Sequence, residues 1–316
     1  MGLDSDVTHD ALRPLMFAIA YRMLGSVAEA EDVVQEALIR IHGADAVQSP
    51  EAFATTVTTR LAIDALRSAR VRRERYMGEW LPEPLVSEDT LVAAAPGPPD
   101  PADVAVRRES LSAAVLTLME ELGPLERAVY VLREAVMLDY SRIAEIVERS
   151  AAACRQMYSR AGRRLAAATP RDSGRADRGS IAEALVDALH REDVALVEEL
   201  LASDVRLHAD GGGRAPAVTR PVEGAVAVAR FLLGLVRRTG PLGVHIDVIE
   251  ANGGPAVRAR DAEGAWLAVM AVQTSGGRVV NLHNQLNPDK LAHLGPVGDL
   301  AALLAQRGTR PATEER

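Results

Sequence analysis

Between Arg75 and Arg107 the chain carries no basic residue, and that interval holds six acids and six prolines. Proline fixes φ and lacks an amide donor, so no long helix or central strand runs through such a stretch, and an extended connector is expected. At about 150 residues per domain, the 316-residue chain suggests two domains or three small ones. The connector separates two arginine clusters. Residues 67–75, RSARVRRER, hold five Arg and one Glu, and residues 149–171 hold six Arg and no acid. The net charge of −8 excludes a chain that coats nucleic acid through bulk charge but leaves room for local basic patches. Lys290 is the only lysine. Nearly every cation is therefore a planar guanidinium, a fork suited to phosphate and to guanine.

Other classes fall away on simple grounds. A single cysteine, Cys154, excludes an intrachain disulfide framework. The opening MGLDSDVTHD places three acids before the first Arg and does not read as a signal peptide. The longest clean apolar run, Ala265–Val272, is far shorter than the ~18 residues a membrane helix needs, so a cytoplasmic location is expected. His208, His245 and His283 are spaced too widely for a local metal-ligand motif, and neither metal nor cofactor is expected.

The first part reads as helices. Leu12, Leu15, Met16, Ile19 and Met23 recur at helical spacing. Ser26-Val-Ala-Glu29 is a capping box that opens a second helix, with Val33, Val34, Ala37, Leu38 and Ile41 facing inward. Ser49-Pro50 pairs an N-cap with proline at the first helical position and starts a third helix that runs into the first Arg cluster. Residues 105–168 are helical again. Pro124 opens a helix with Leu125, Val129, Leu132 and Val136 on one face. Asp139 caps a short helix carrying Ile143, Ala144 and Val147, and Ser150 caps another that extends to about Ala168. Two short helices joined by a tight turn match a helix-turn-helix. Glu148 stands where such turns often carry Gly, and Gly162 interrupts the last helix at a cost of ~1 kcal/mol.

After the polar linker RDSGRADRG the pattern changes. Residues 181–203 read as a helix pair. Strand-like segments follow, VRLHAD, VHIDVIEA, AWLAVMAVQ and RVVNLHNQL, with DGGG, NGG and SGG turns available between them. Helices followed by a curled antiparallel sheet predict an α+β cone or sandwich.

Three surfaces carry candidate chemistry. In the helix after Ser150, Ala153, Cys154, Met157, Ala161 and Leu165 form the inward stripe. Arg155, Gln156, Ser159 and Arg163 fall opposite, with Arg160 at the edge. A recognition helix needs such an outer face, with donors for base edges and phosphates and nothing that repels DNA. Arg67, Arg70, Arg72 and Arg73 end the third helix. The plain reading is cations complementing a helix dipole, but the five Arg of residues 67–75 exceed that need and phosphate contact is favoured. Thr55, Thr56, Thr58, Thr59 and Arg60 precede them as a small polar surface for an unpaired strand, with Phe53, Tyr76 and Trp80 as the stacking candidates. The outward acids Glu29, Glu31, Asp32 and Glu36, with Gln35, cannot approach DNA; they form either a solvated helix face or a protein-docking surface.

These segments carry a resemblance. AYRMLGSVAEAEDVVQEALIRIH and SPEAFATTVTTRLAIDALRSARVRRER resemble domain 2 of the extracytoplasmic-function sigma factors of bacterial RNA polymerase. LGPLERAVYVLREAVMLDYSRIAEIVERSAAACRQMYSRAGRRL resembles their domain 4. The resemblance implies that Glu31, Asp32, Gln35 and Glu36 dock on the clamp helices of core RNA polymerase. It implies that the Arg-rich helix, with Arg60, Arg67, Arg70, Arg72 and Arg73, recognises and opens the −10 promoter element. The helix-turn-helix, with Ser150, Arg155, Gln156, Ser159, Arg160 and Arg163, would read the −35 element. Arg60 replaces the family's usual Asn.

Trp80-Leu81-Pro82-Glu83-Pro84, Asp210-Gly211-Gly212-Gly213-Arg214 and Asn287-Pro288-Asp289-Lys290-Leu291 resemble three signatures of the subfamily with a fused SnoaL-like domain. Family members usually carry Lys where Arg214 stands. Each motif alone reads as a stiff linker, a hairpin turn or a helix cap. The subfamily resemblance implies that the fused domain controls the sigma module without a separate membrane anti-sigma partner. The combination of motifs leads us to expect residues 210–214 and 287–291 near 80–84.

The architecture expected is therefore multidomain. It comprises sigma domain 2 (1–79), an acidic linker (80–104), sigma domain 4 (105–170), a linker (171–180), an α+β SnoaL-like domain (181–292) and a tail (293–316). Other readings stay open: a one-component operator-binding regulator, an unidentified small-molecule ligand in the C-terminal domain, or an enzyme using His208, His245, Asp247, Asn281 and His283.

Overall fold

The computed structural model describes residues 5–44, 49–73, 76–86, 112–168 and 175–306, and it leaves out the side chains of residues 5–10, 70–72, 167–168 and 175–177. The chain divides into two compact units. One comprises residues 1–75 and 87–169, the other residues 76–86 and 170–316.

The first unit is helical. Helices α1 (Ser5–Leu24), α2 (Val27–His42) and α3 (Pro50–Arg73) pack together. The Ser26 hydroxyl accepts from the Glu29 amide at 3.2 Å and so fixes where α2 begins. Val33, Val34, Ala37 and Ile41 then recur on its inner face and are buried, against Met16, Ile19 and Met23 of α1 and Ala62, Ile63 and Leu66 of α3. Helices α4 (Ala113–Met119), α5 (Pro124–Glu134), α6 (Tyr140–Val147) and α7 (Ala151–Ala168) follow. The Asp139 carboxylate caps α6 by accepting from the Arg142 amide at 2.8 Å, and Ser150 caps α7 by accepting from the Ala153 amide at 3.2 Å. Between them Glu148 takes the left-handed conformation, φ 54°. That is the conformation for which glycine is suited, and a residue with a Cβ pays ~1 kcal/mol there. The helix-turn-helix forms regardless, because Ile143, Val147, Cys154, Met157, Ala161 and Leu165 bury one shared stripe.

A buried arginine joins the two helical groups of this unit. Arg127 of α5 is 1% exposed. Its Nε donates to the Arg22 carbonyl near the end of α1 at 3.2 Å, and its guanidinium pairs with Glu120.

The second unit is α+β. Helices α8 (Arg175–His190) and α9 (Val194–Leu200) lead into strand β1 (Leu201–Asp210), a short β2 (Val222–Glu223), helix α10 (Ala225–Thr239), and strands β3 (His245–Ala251), β4 (Gly254–Arg260), β5 (Trp266–Ser275) and β6 (Arg278–Gln285). The turn of helix α11 (Pro288–Leu291) and helix α12 (Leu300–Gln306) complete it. The sheet order is β2-β1-β6-β5-β4-β3. The sheet is mixed, which corrects the antiparallel expectation: β1 runs parallel to β6. The chain leaves β1 through β2 and α10 before forming the β3–β6 meander, so β6 returns beside β1 in the same direction. Strand β4 and helix α10 also lie outside the segments that sequence patterning singled out. Strand β4 contains Pro255, Arg258 and Arg260, which dilute a strand pattern, and Gly234 interrupts α10.

Alternation along the strands gives the sheet two different faces. Leu207, Ala209, Met270, Val272 and Leu282 pack with α8 and α10 into the main core. The tail contributes as well. Val297 bridges to Trp266, and α12 then places Leu300 in that core. The other face bears His208, Asp210, His283 and Gln285, paired across β1 and β6 as His208 with His283 and Asp210 with Gln285. Among the described residues no helix is long and apolar enough to cross a membrane.

Candidate functional site

In the first unit, α2 presents the acidic surface. Asp32 and Gln35 are exposed. Glu31 pairs with Arg13, and Glu36 pairs with Arg40 one turn on at 2.8 Å. Burial of Val33, Val34 and Ala37 on the inner face forces these side chains outward.

The α3 surface differs from the expectation. Thr55, Thr58 and Thr59 are buried rather than exposed. Thr55 and Thr59 donate their hydroxyls to carbonyls four residues back, Glu51 at 2.8 Å and Thr55 at 2.7 Å. A threonine satisfied by its own helix can be buried, so polarity in the sequence misreports exposure here. Thr56 is half-buried and Arg60 exposed. Arg60 donates Nε to the Ile146 carbonyl at 3.0 Å and Nη2 to that of Glu145 at 3.2 Å, and it pairs with the Glu148 carboxylate at 3.0 Å. It thus serves the open carbonyl end of α6. Arg142 answers from α6, donating to the Ala52 carbonyl at 3.2 Å and to Thr56 Oγ1 at 3.3 Å. Arg67 is exposed and pairs with Asp64. Arg73 is half-buried, paired with Glu120 and donating to the Leu24 carbonyl. The side chains of Arg70 and Arg72 lie outside the described residues.

On α7 the structure exposes Arg155, Gln156, Ser159, Arg160 and Arg163 together and buries Cys154, Met157, Ala161 and Leu165 behind them. Arg160 and Arg164 pair with Glu126 at 3.1 and 3.3 Å. Burial pushes the Cys154 thiol above its usual pKa, so it behaves as a core residue.

In the second unit, one buried carboxylate gathers the three remaining motifs. Asp210, 0% exposed, ends β1. Its Oδ2 accepts from the Lys290 ammonium at 2.7 Å, the Leu81 amide at 2.9 Å and Gln285 Nε2 at 3.3 Å. Its Oδ1 accepts from the Tyr76 hydroxyl at 2.7 Å and the Gly212 amide at 3.0 Å. Lys290 also donates to the Leu81 carbonyl at 2.6 Å and lies 4.0 Å from the Trp80 ring centroid and 4.8 Å from that of Tyr76. The buried cation thus has a carboxylate, a carbonyl and two aromatic faces in place of water. Burial next to Asp210 raises the Tyr76 phenol well above its usual pKa, so it stays a donor.

The rest of the strap, residues 76–86, is pinned along its length. Gln285 donates to the Leu81 and Pro82 carbonyls, His293 to that of Pro84 at 2.7 Å, and Asn252 exchanges backbone and side-chain bonds with Leu85. Leu81, Pro82, Glu83 and Pro84 are buried. Leu291 sits in a small apolar cluster against which Val86 packs. Asn287 caps α11 through Asp289 and donates to the Tyr76 hydroxyl at 2.8 Å. Pro288 occupies the first position of α11. Arg214 pairs with Asp289 on the rim at 3.1 Å. The glycines are required by proximity. A Cβ on Gly212, φ +57°, would stand 2.2 Å from Asn287 Nδ2, and one on Gly211 would stand 2.3 Å from the Ala215 carbonyl.

Tyr76 and Trp80 are therefore committed within the second unit, against Lys290, and in this structure are not stacking platforms for a nucleic acid strand. Tyr76, Gln285, Asn252 and His293 belong to the cluster although no motif contained them. The polar alternation His283, Gln285, Asn287 along the end of β6 was the available signal. His208 stacks on His283 at 5.1 Å and donates to Glu79 of the strap at 2.7 Å. Burial, with the neighbouring His208, pushes His283 down to about 3, so its ring is neutral. Asp247 pairs with Arg258, Asn281 donates to Gln273, and His245 is exposed at the start of β3. The structure does not gather these polar residues at one point. Among the described residues no group of His, Cys, Asp and Glu is arranged to hold a metal ion.

Two family models match the chain: Sigma-70 region 2 over residues 9–72 and Sigma-70, region 4, over residues 112–165. The chain is 36% identical over 291 residues to the ECF RNA polymerase sigma factor SigJ of Mycobacterium tuberculosis, covering 89% of this chain and 91% of that protein. It is 29% identical to the probable ECF RNA polymerase sigma factor SigI of the same organism over 89% of this chain and 92% of that one. The crystal structure of M. tuberculosis SigJ superposes with a TM-score of 0.72 at 31% identity, covering 91% of this chain and 98% of that one.

Proposed function

The chain belongs to the ECF RNA polymerase sigma factors, and from that premise we propose how its surfaces divide the work of starting transcription. The α2 face, Glu31, Asp32, Gln35 and Glu36, docks core RNA polymerase. Helix α3, with Arg60, Arg67, Arg70, Arg72 and Arg73, engages the −10 element. Helix α7, with Ser150, Arg155, Gln156, Ser159, Arg160 and Arg163, reads the −35 element. The bond-making chemistry belongs to the polymerase. In reaching DNA, Arg60 exchanges the carbonyl end of α6 and Glu148 for its new partner.

The second unit regulates this module through the strap. One observation carries that reading: the buried Asp210–Lys290 pair grips residues 76–81, at the head of the connector between the two DNA-reading groups. A strap held by a buried ion pair and a row of carbonyl contacts cannot lengthen freely over residues 76–86. Once Arg60 and Arg142 release their contacts between the helical groups, the strap limits how far α3 and α7 separate on promoter DNA.

Reconstituted transcription with core polymerase tests both halves. Charge reversal at Asp32 and Glu36 abolishes co-purification with polymerase and transcription together; unchanged transcription refutes the docking surface. Loosening the clamp with Lys290→Met broadens the range of spacer lengths tolerated between the two promoter elements. A spacer profile identical to that of the parent chain refutes control through the strap.

A further inference from the structure

Tyr140 is the first residue of α6, directly behind its cap Asp139. Its half-buried ring has guanidinium groups on it from the helices on either side. Arg133 Cζ of α5 lies 5.1 Å from the ring centroid, and Arg155 Cζ of α7 lies 5.9 Å from it. The ring is itself held in place. Tyr158 of α7 meets it edge-on at 6.1 Å, stacks on Tyr130 of α5 at 5.9 Å and donates its hydroxyl to Glu134. Arg133 is tethered by a 2.8 Å bond to the Leu138 carbonyl in the turn before α6.

The outer-face arginines of α7 are thus not equivalent. Arg160 has committed Nε to Glu126, and Arg163 donates back to the Ser159 carbonyl of its own helix. Arg155 lies on an aromatic face. A carboxylate consumes the in-plane N–H donors of a guanidinium, whereas a ring attracts the cation through its face and leaves those donors free. An arginine that is directed but keeps its donors suits bidentate contact with the O6 and N7 acceptors of guanine, because no ion pair has to break first.

We propose that Tyr140 is a positioning residue for Arg155: its ring aims the guanidinium at one base pair of the upstream element and so sets the base preference there. This rests on the reading of α7 as the recognition helix. The face of the ring does the work, so phenylalanine serves as well as tyrosine, while an aliphatic side chain of similar bulk does not.

The test uses the full-length chain in reconstituted holoenzyme, transcribing from templates randomised across the upstream element. Arg155→Ala flattens the preference at one position by roughly tenfold or more. Tyr140→Leu flattens the same position by roughly two- to fivefold, the range of an exposed cation–π contact. Tyr140→Phe retains the parent preference. The double variant Tyr140→Leu/Arg155→Ala matches Arg155→Ala alone, because the ring acts only through that side chain. If Tyr140→Leu leaves the preference intact, or lowers output equally on all templates, the positioning role is overturned while α7 keeps its role. If Arg155→Ala changes no position, the recognition-helix reading fails, and this inference with it. The preference is a ratio between templates, so a partial loss of folded protein, followed by thermal melting, does not change it.

Discussion

Two ion pairs join segments distant in sequence, and they differ in almost everything else. Arg60–Glu148 in the first unit has side chains 47% and 72% exposed. Lys290–Asp210 in the second has side chains 8% and 0% exposed. Water competes for the first pair at every moment, so it contributes little and exchanges readily for another partner, a phosphate included. The second pair has already lost its water. Breaking it from one side leaves a bare charge in a dry site, so the strap it holds is committed. Arg60, proposed to meet DNA, is kept wet and replaceable, and the pair proposed to fix the strap is kept dry and costly to part.

Removing one buried partner gives the largest effect. Lys290→Met should cost ~3–5 kcal/mol by leaving Asp210 uncompensated, read as a lower melting temperature and faster proteolysis within residues 76–86. Adding Asp210→Leu should return much of that stability; a double variant no better than the single would mean that the charge is not what the cluster balances.

Acid probes the same face. His283 is pushed down to about 3 by burial, against an ordinary value near 6.5. The unfolded chain therefore binds the extra proton first. Its contribution to stability is whole above about pH 6.5 and is lost progressively as pH falls toward about 3. Melting curves of the parent should decline across that window, and His283→Leu should flatten the decline.

In the exposed region the effects shrink. Gly162 lies inside α7, and a Cβ added there would meet nothing within 4 Å, so Gly162→Ala should stabilise the first unit by ~1 kcal/mol in denaturant titration. Arg60→Asn should cost no more than ~1 kcal/mol. Glu148→Gly should be neutral or stabilising, since relief of the left-handed strain, ~1 kcal/mol, offsets the lost pair. A large loss from either change would show that the exposed bridge is not exchangeable.

Much of the helical half is legible in the amino-acid order alone. Ser26, Asp139 and Ser150 announce helix starts because a cap is settled within three residues of chain. The opposed faces of α2 and α7 are legible because helical periodicity assigns each side chain a direction. The three signature motifs are visible as motifs, but what they hold is not. Tyr76, Gln285, Asn252 and His293 act on partners tens to hundreds of residues away, and no local pattern encodes such partners. Thr55 and Thr59 mislead for the opposite reason, because i−4 hydrogen bonding within one helix lets a polar residue be buried.

Sequence by itself determined the helix-turn-helix and the opposed faces of α2 and α7, since each depends on local propensity, periodicity or charge; the proline-rich stretch beyond Val86 lies outside the described residues. Only the tertiary structure decided that β1 runs beside β6, that the DGGG turn must be glycine because Asn287 and Tyr76 approach it, and that Lys290 reaches the end of β1. Those outcomes depend on which surfaces exclude water together, and burial is a property of the folded chain rather than of any segment of it.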